Sequence, residues 1–161
     1  MLNRRINSLA NTHALLSRSR WQGVSLGELV RSELAFCAKD MSAHIEGPEL
    51  VLAAEATQPV AMVLHELATN AAKYGALSNG RGRVLAQWRL SSRGLTGGTL
   101  VIEWKETGGP AVVAPAASGY GTSVIRDLIP YELGGAVDYD FAPDGVCCKL
   151  EIPARWLSGR A

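Results

Sequence analysis

Between Thr57 and Gly75 the apolar residues Val60, Val63, Leu64, Leu67, Ala68 and Ala71 recur at intervals of three and four. That is the period of a helix with one buried face. Glu66, Asn70 and Lys73, at i, i+4 and i+7, fall within roughly 60° of one another at about 100° per residue, so a polar stripe borders the buried face. Thr57-Gln58-Pro59 is expected to open this helix, because a proline in the first turn gives up no hydrogen bond. Gly75 is expected to close it as a left-handed cap.

Periodicity supplies the remaining elements. Residues 1–20 carry Leu2, Ile6, Leu9, His13 and Leu16 at helical spacing, with arginines between them. Ser25-Leu26-Gly27-Glu28 is a capping box that opens a helix to about Cys37. Residues 43–45 and 49–53 suggest two short strands around the Gly47-Pro48 turn. Alternation then predicts a hairpin, with Val84, Ala86, Trp88 and Leu90 inward on one strand and Leu100, Ile102 and Trp104 inward on the next; both tryptophans read as packing residues. A helix over about 123–131 leads to a closing hairpin, with strands near 136–141 and from Val146 to Pro153. The residues after Pro153 are expected to fray. Helices gathered on one face of a mixed sheet make the fold class α/β (α+β), a two-layer sandwich.

Composition narrows this picture. The 161 residues are enough for one domain with a sizeable core, and 47% hydrophobic and 19% charged residues with a net charge of +1 are those of a globular protein with no electrostatic case for nucleic acid. Cys37, Cys147 and Cys148 fit no zinc spacing, and neighbouring cysteines on a strand face opposite ways, so a reducing, cytoplasmic setting is expected rather than a disulfide framework. No apolar run reaches the roughly 18 residues that cross a bilayer, and no signal-peptide core is expected at the N-terminus.

Three stretches carry chemistry. A carboxylate, a carboxamide oxygen and an ammonium on the arc of Glu66, Asn70 and Lys73 suit a magnesium-bound polyphosphate, which needs oxygen ligands, charge neutralisation and an acid/base group. Glu106-Thr107-Gly108-Gly109-Pro110 ends a strand; glycines there admit a planar ligand, and the carboxylate can accept from an exocyclic amine. Gly119-Tyr120-Gly121-Thr122 opens a helix and offers free backbone amides to an anion. Between them, residues 112–118 are a short loop of small residues, able to cover a ligand as a lid.

Residues 65–78, His-Glu-Leu-Ala-Thr-Asn-Ala-Ala-Lys-Tyr-Gly-Ala-Leu-Ser, closely resemble the N box of sensor histidine kinases of the HWE family, within the ATP-binding folds shared with gyrase and MutL. His65 matches the family's histidine, and Trp104-Lys105-Glu106 its Trp-x-Glu. Residues 106–110 resemble the first glycine box, with glutamate for the usual aspartate, and residues 119–122 the second, with Tyr120 for phenylalanine. Residues 46–52 also resemble the family's approach to its N box, and residues 1–21 the second helix of its dimerisation hairpin.

The resemblance implies a histidine kinase-type ATPase fold over 22–153, preceded by a remnant dimerisation helix at 1–21 and followed by a tail at 154–161. It implies ATP and Mg²⁺ as ligands. Asn70 would hold Mg²⁺, Glu66 would act as base or water positioner, and Lys73 would neutralise phosphate. Tyr74 would lie along adenine or ribose, Glu106 would accept from the adenine amine beside Gly108, and Gly119, Gly121 and Thr122 would present amides to phosphates. His65 keeps two readings, a structural hydrogen bond or catalysis. His13, followed by Ala14-Leu15-Leu16 where the acceptor motif has arginine, is read as a packed residue. The acceptor histidine is expected on an upstream helix, with a sensor domain, a response regulator and a homodimer as partners and the chain as a fragment of the parent kinase. A regulatory anti-sigma-factor kinase or adaptor, and a chaperone- or topoisomerase-type ATPase, are the competing classes.

Overall fold

The structure is a computed structural model and describes residues 8–10, 12, 23–37, 42–92, 97–111 and 120–158. Of the expected first helix, 8–10 and 12 are helical; His13 and the rest of 1–21, like the lid at 112–118, lie outside the described residues.

Helix α1 spans Leu26–Ala35, and Ser25 caps it by accepting from the Glu28 amide at 3.4 Å. It buries Leu26, Leu29, Val30, Glu33 and Leu34, an apolar stripe with one carboxylate set into it. Helix α2, Ala54–Lys73, is the centre of the helical layer. It begins earlier than expected, so Pro59 lies inside it. The reason is burial: Ala56, Thr57 and Val60 are fully covered, and Thr57 Oγ1 donates back to Ala53 O at 2.9 Å. Packing of that first turn outweighs the hydrogen bond the proline withholds. Helix α3, Tyr120–Leu133, packs against α2 and buries Ile125, Ile129 and Leu133.

The helices lie on a five-stranded sheet of order β2-β4-β5-β7-β6, made of β2 Ala43–Glu46, β4 Arg83–Ser91, β5 Thr99–Thr107, β6 Ala136–Ala142 and β7 Gly145–Pro153. Only β2 with β4 is parallel, which makes the sheet mixed. Its register stacks Ala86, Trp104, Cys148 and Tyr139 in one buried row, and Trp88, Ile102 and Leu150 in the next. The opposite face carries Gln87, Glu103 and Lys149 in cross-strand register, with Gln87 Nε2 donating to Glu103 at 3.0 Å. Inward alternation fades at Leu90, which is 38% exposed at the strand's end.

A second sheet was not foreseen. Strands β1 Val24–Ser25, β3 Val51–Leu52 and β8 Leu157–Ser158 form a small antiparallel sheet of order β1-β3-β8. The two strands expected around Gly47-Pro48 therefore join different sheets, and the second shrinks to Val51–Leu52. The expected fraying after Pro153 is also corrected. A short 3-10 turn at Ala154–Trp156 leads into β8; Trp156 Nε1 donates to Leu133 O at 2.9 Å and Ala53 N to Trp156 O at 2.7 Å. These bonds join the end of α3 and the start of α2 through one tryptophan.

Trp156→Ala is expected to destabilise the protein by about 2–3 kcal/mol, the large-to-small cost reduced for a half-exposed ring plus one lost hydrogen bond. Urea unfolding checks this; an unchanged midpoint would mean that the segment after Pro153 is not part of the fold.

Candidate functional site

The C-terminal half of α2 brings its polar stripe to the edge of the core. Glu66 is 7% exposed and already engaged in a contact within the protein, Asn70 is half-buried, and Lys73 and Tyr74 reach solvent, Tyr74 at 71% exposure. The Asn70 side chain hydrogen-bonds the Tyr139 hydroxyl from β6. Burial pushes the Tyr139 pKa up to about 12, and the Asn70 contact works against it. Arg126 of α3 lies over the Tyr139 ring at 5.5 Å and donates to its backbone oxygen at 3.3 Å, and Phe141 packs beside it at 4.7 Å between ring centroids. Tyr139 was not foreseen, because a tyrosine at an inward strand position reads as ordinary core.

The expected left-handed cap at Gly75 is corrected: its φ is not positive. The helix ends on Tyr74, whose amide donates to Asn70 O at 2.8 Å. Glycine is needed at 75 for space, since a Cβ there would collide with Glu106 Oε1. Glu106, at 3% exposure, accepts from Ala76 N at 3.0 Å and from Trp104 Nε1 at 2.9 Å, one bond to each oxygen. A carboxylate has about four lone-pair sites, so the same group can still accept from a ligand amine. Trp104 thus both packs and donates. Gly108 is left-handed at φ 73°, and its carbonyl accepts from Asn79 Nδ2 at 3.4 Å while Asn79 Oδ1 accepts from Arg81 N and Gly82 N. Asn79 is a second residue that sequence reasoning missed; its signal was the Asn-Gly turn pair after the N box.

Asn70, Glu106 and Gly108 are thus gathered where α2 ends against β5. Gly121 and Thr122 lie in the first turn of α3, whose opening amides have no acceptor within the helix. Gly119 lies outside the described residues. A cavity of about 530 Å³ between Gln58, Pro59 and Met62 of α2 and Leu128 and Glu132 of α3 continues the Glu66 stripe toward the start of α2. Among the described residues no group of three or more His, Cys, Asp or Glu side chains is gathered as a metal cage. The carboxamide oxygen of Asn70 is a hard donor of the kind that fits Mg²⁺ completed by phosphates and water.

His65 takes its structural reading. It is buried, and its Nδ1 lies 3.2 Å from Glu33 Oε2, while Glu33 Oε1 accepts from Ser8 Oγ at 2.7 Å.

The fold is that of histidine kinase catalytic domains. The histidine kinase domain of the blue-light activated kinase of Erythrobacter litoralis superposes with a TM-score of 0.68 at 17% identity, covering 94% of this chain and 74% of that one. The catalytic domain of the histidine kinase ThkA does so at 0.57 and 20% identity, covering 80% and 93%. Within that class, the sequence likeness is to the HWE histidine kinases. Residues 1–49 match the family model described as HWE histidine kinase, and a blue-light-activated histidine kinase of Rhizobium johnstonii is 34% identical over 150 residues, 93% of this chain. The chain spans 42% of that relative's length.

Two outcomes test the site's construction. Gly75→Ala is expected to cost about 2–4 kcal/mol in urea unfolding, as overpacking that also displaces a buried hydrogen bond; a loss under about 0.5 kcal/mol would show that Glu106 moves aside freely. The second concerns pH. Burial raises the Glu106 pKa above its ordinary 4.5, with the Ala76 and Trp104 hydrogen bonds opposing it. A raised folded-state value means that stability is complete below the unfolded pKa and is lost as pH rises through the folded one. Against Glu106→Gln, which cannot titrate, the parent is expected to lose thermal stability as pH rises through and above the ordinary carboxylate range. A midpoint difference that stays constant over that range would contradict the raised value.

Proposed function

We propose that this chain binds Mg-ATP and supplies the catalytic half of a protein histidine kinase, passing the γ-phosphoryl group to a histidine on a helix outside it. The observation that carries the reading is the junction at the end of α2: Glu106 of β5, buried, holds the amide of Ala76 just past the helix that carries Glu66, Asn70 and Lys73, so a buried carboxylate acceptor lies beside the polar stripe. Bound Mg²⁺ would supply charge neutralisation between the phosphates.

The chain's own residues divide the remaining work. Glu106 takes a hydrogen bond from the adenine amine, with Gly108 leaving room for the ring and Tyr74 lying along adenine or ribose. Lys73 offsets phosphate charge, and the amides of Gly119, Gly121 and Thr122 hold phosphate oxygens at the start of α3. Glu66 takes or relays the proton lost when the acceptor imidazole nitrogen bonds to phosphorus and the bond to the leaving ADP oxygen breaks. The parent protein would add a sensor domain, a dimerising histidine helix and a response regulator. No described helix is long and apolar enough to cross a membrane.

Calorimetric titration of Mg-ATP into the chain and into Asn70→Ala tests this. The parent is expected to bind, and the variant to lose at least about tenfold in affinity, the usual cost of disturbing a metal ligand or its support. A parent that binds no Mg-ATP, or a variant that binds it equally well, overturns the reading.

A further inference from the structure

Glu33 sits at a core position of α1, among Leu26, Leu29, Val30 and Leu34, and its side chain is 1% exposed. Burying a carboxylate and an imidazole together is costly, and an apolar pair of similar volume commonly serves stability as well or better. Stability alone therefore does not account for them. What the carboxylate does is join three segments: Oε1 takes the Ser8 hydroxyl at 2.7 Å, and Oε2 faces His65 Nδ1 at 3.2 Å. A carboxylate only accepts, so the imidazole donates from Nδ1. Ser8 is itself 4% exposed, and the fully buried Thr12 donates to Ser8 O at 2.9 Å, which fixes the local helix that presents it.

His65 immediately precedes Glu66 on α2, and a helix moves as a rigid unit, so a shift at His65 is shared by Glu66 and Asn70. Beyond the helix's C-terminal end, Ala76 is bound to Glu106. The polar stripe thus runs between two buried polar anchors, one tied to β5 and the other, through Glu33, to the residues upstream.

We propose that Glu33 is a positioning residue: through Ser8 and His65 it sets the register of α2 against the upstream helical residues 8–10 and 12, so that their placement tunes the affinity of the Glu66–Asn70 stripe for Mg-ATP. This rests on the Mg-ATP reading. It gives the family's box histidine a task at one remove from the phosphates.

The experiment measures Mg-ATP affinity by calorimetry and the thermal midpoint together, in the parent, Ser8→Ala, Glu33→Gln and the double variant Glu33→Leu/His65→Leu. The leucine pair is expected to melt within a few degrees of the parent or above it, yet bind Mg-ATP about tenfold more weakly. Ser8→Ala, which cuts only the upstream link, is expected to weaken binding about threefold, on the scale of one neutral hydrogen bond. Glu33→Gln can still accept from Ser8 and bond His65, so it is expected to stay within about twofold of the parent. Parent-like affinity in a folded leucine pair overturns the proposal; if that pair does not fold, parent-like affinity in Ser8→Ala does so. A parent that fails to bind Mg-ATP removes the site together with its coupling, whereas equal binding by the parent and all variants removes the coupling alone.

Discussion

A carboxylate at 3% exposure must be given donors where it lies, and the way Glu106 obtains them shapes the surrounding structure. One oxygen takes the indole of Trp104 two residues back on the same strand; the other takes the first amide beyond the Gly75 turn. The strand end and helix end must therefore approach more closely than side chains allow. Gly75 yields to the carboxylate, and Gly109 and Gly82 yield to the backbone of Ala76. With that junction fixed, Asn70 lies one turn from the anchor, and Tyr139, two strands away, reaches its amide. The glycine box accordingly has a packing role before any ligand arrives.

Much of the architecture was legible because period is a direct consequence of burial. The six apolar positions of the central helix are all at or below 1% exposure, and Leu100, Ile102 and Trp104 alternate inward as their spacing required. What was not legible depended on distant partners. The start of the central helix was placed too late because Pro59 is a strong local signal, whereas the covering of Ala56 and Thr57 is a tertiary fact. The segment after Pro153 has no period to read; it is ordered by a tryptophan that finds Leu133 O and by β3, neither of which sequence distance suggests.

The site divides the same way. Glu66, Asn70 and Lys73 share an arc by helix geometry alone, whereas Glu106 was singled out by the glycines that follow it only together with the family resemblance. Tyr139 and Glu33 were hidden by opposite disguises. One is an aromatic residue in an inward strand position, where only the hydroxyl betrays a second task. The other is a charge in an apolar stripe, where helical period would have asked for leucine. A departure from period at a buried position was the available signal, and it points to a partner on another element.

The central helix is apolar along most of one face, which holds it firmly but nonspecifically: dispersion and burial tolerate small rotations and slides among similar side chains. Hydrogen bonds do not, because their geometry fails within tenths of an ångström and a few tens of degrees. Placing one such bond at His65 and another just beyond the helix end, at Ala76, removes the two motions that apolar packing leaves soft, rotation about the axis and sliding along it. The residues between those points are the ones that, in the function proposed above, would need their oxygen atoms placed to a fraction of an ångström. Polar anchoring on either side of a stretch of apolar helix is therefore the physical condition for putting precise chemistry on its exposed edge.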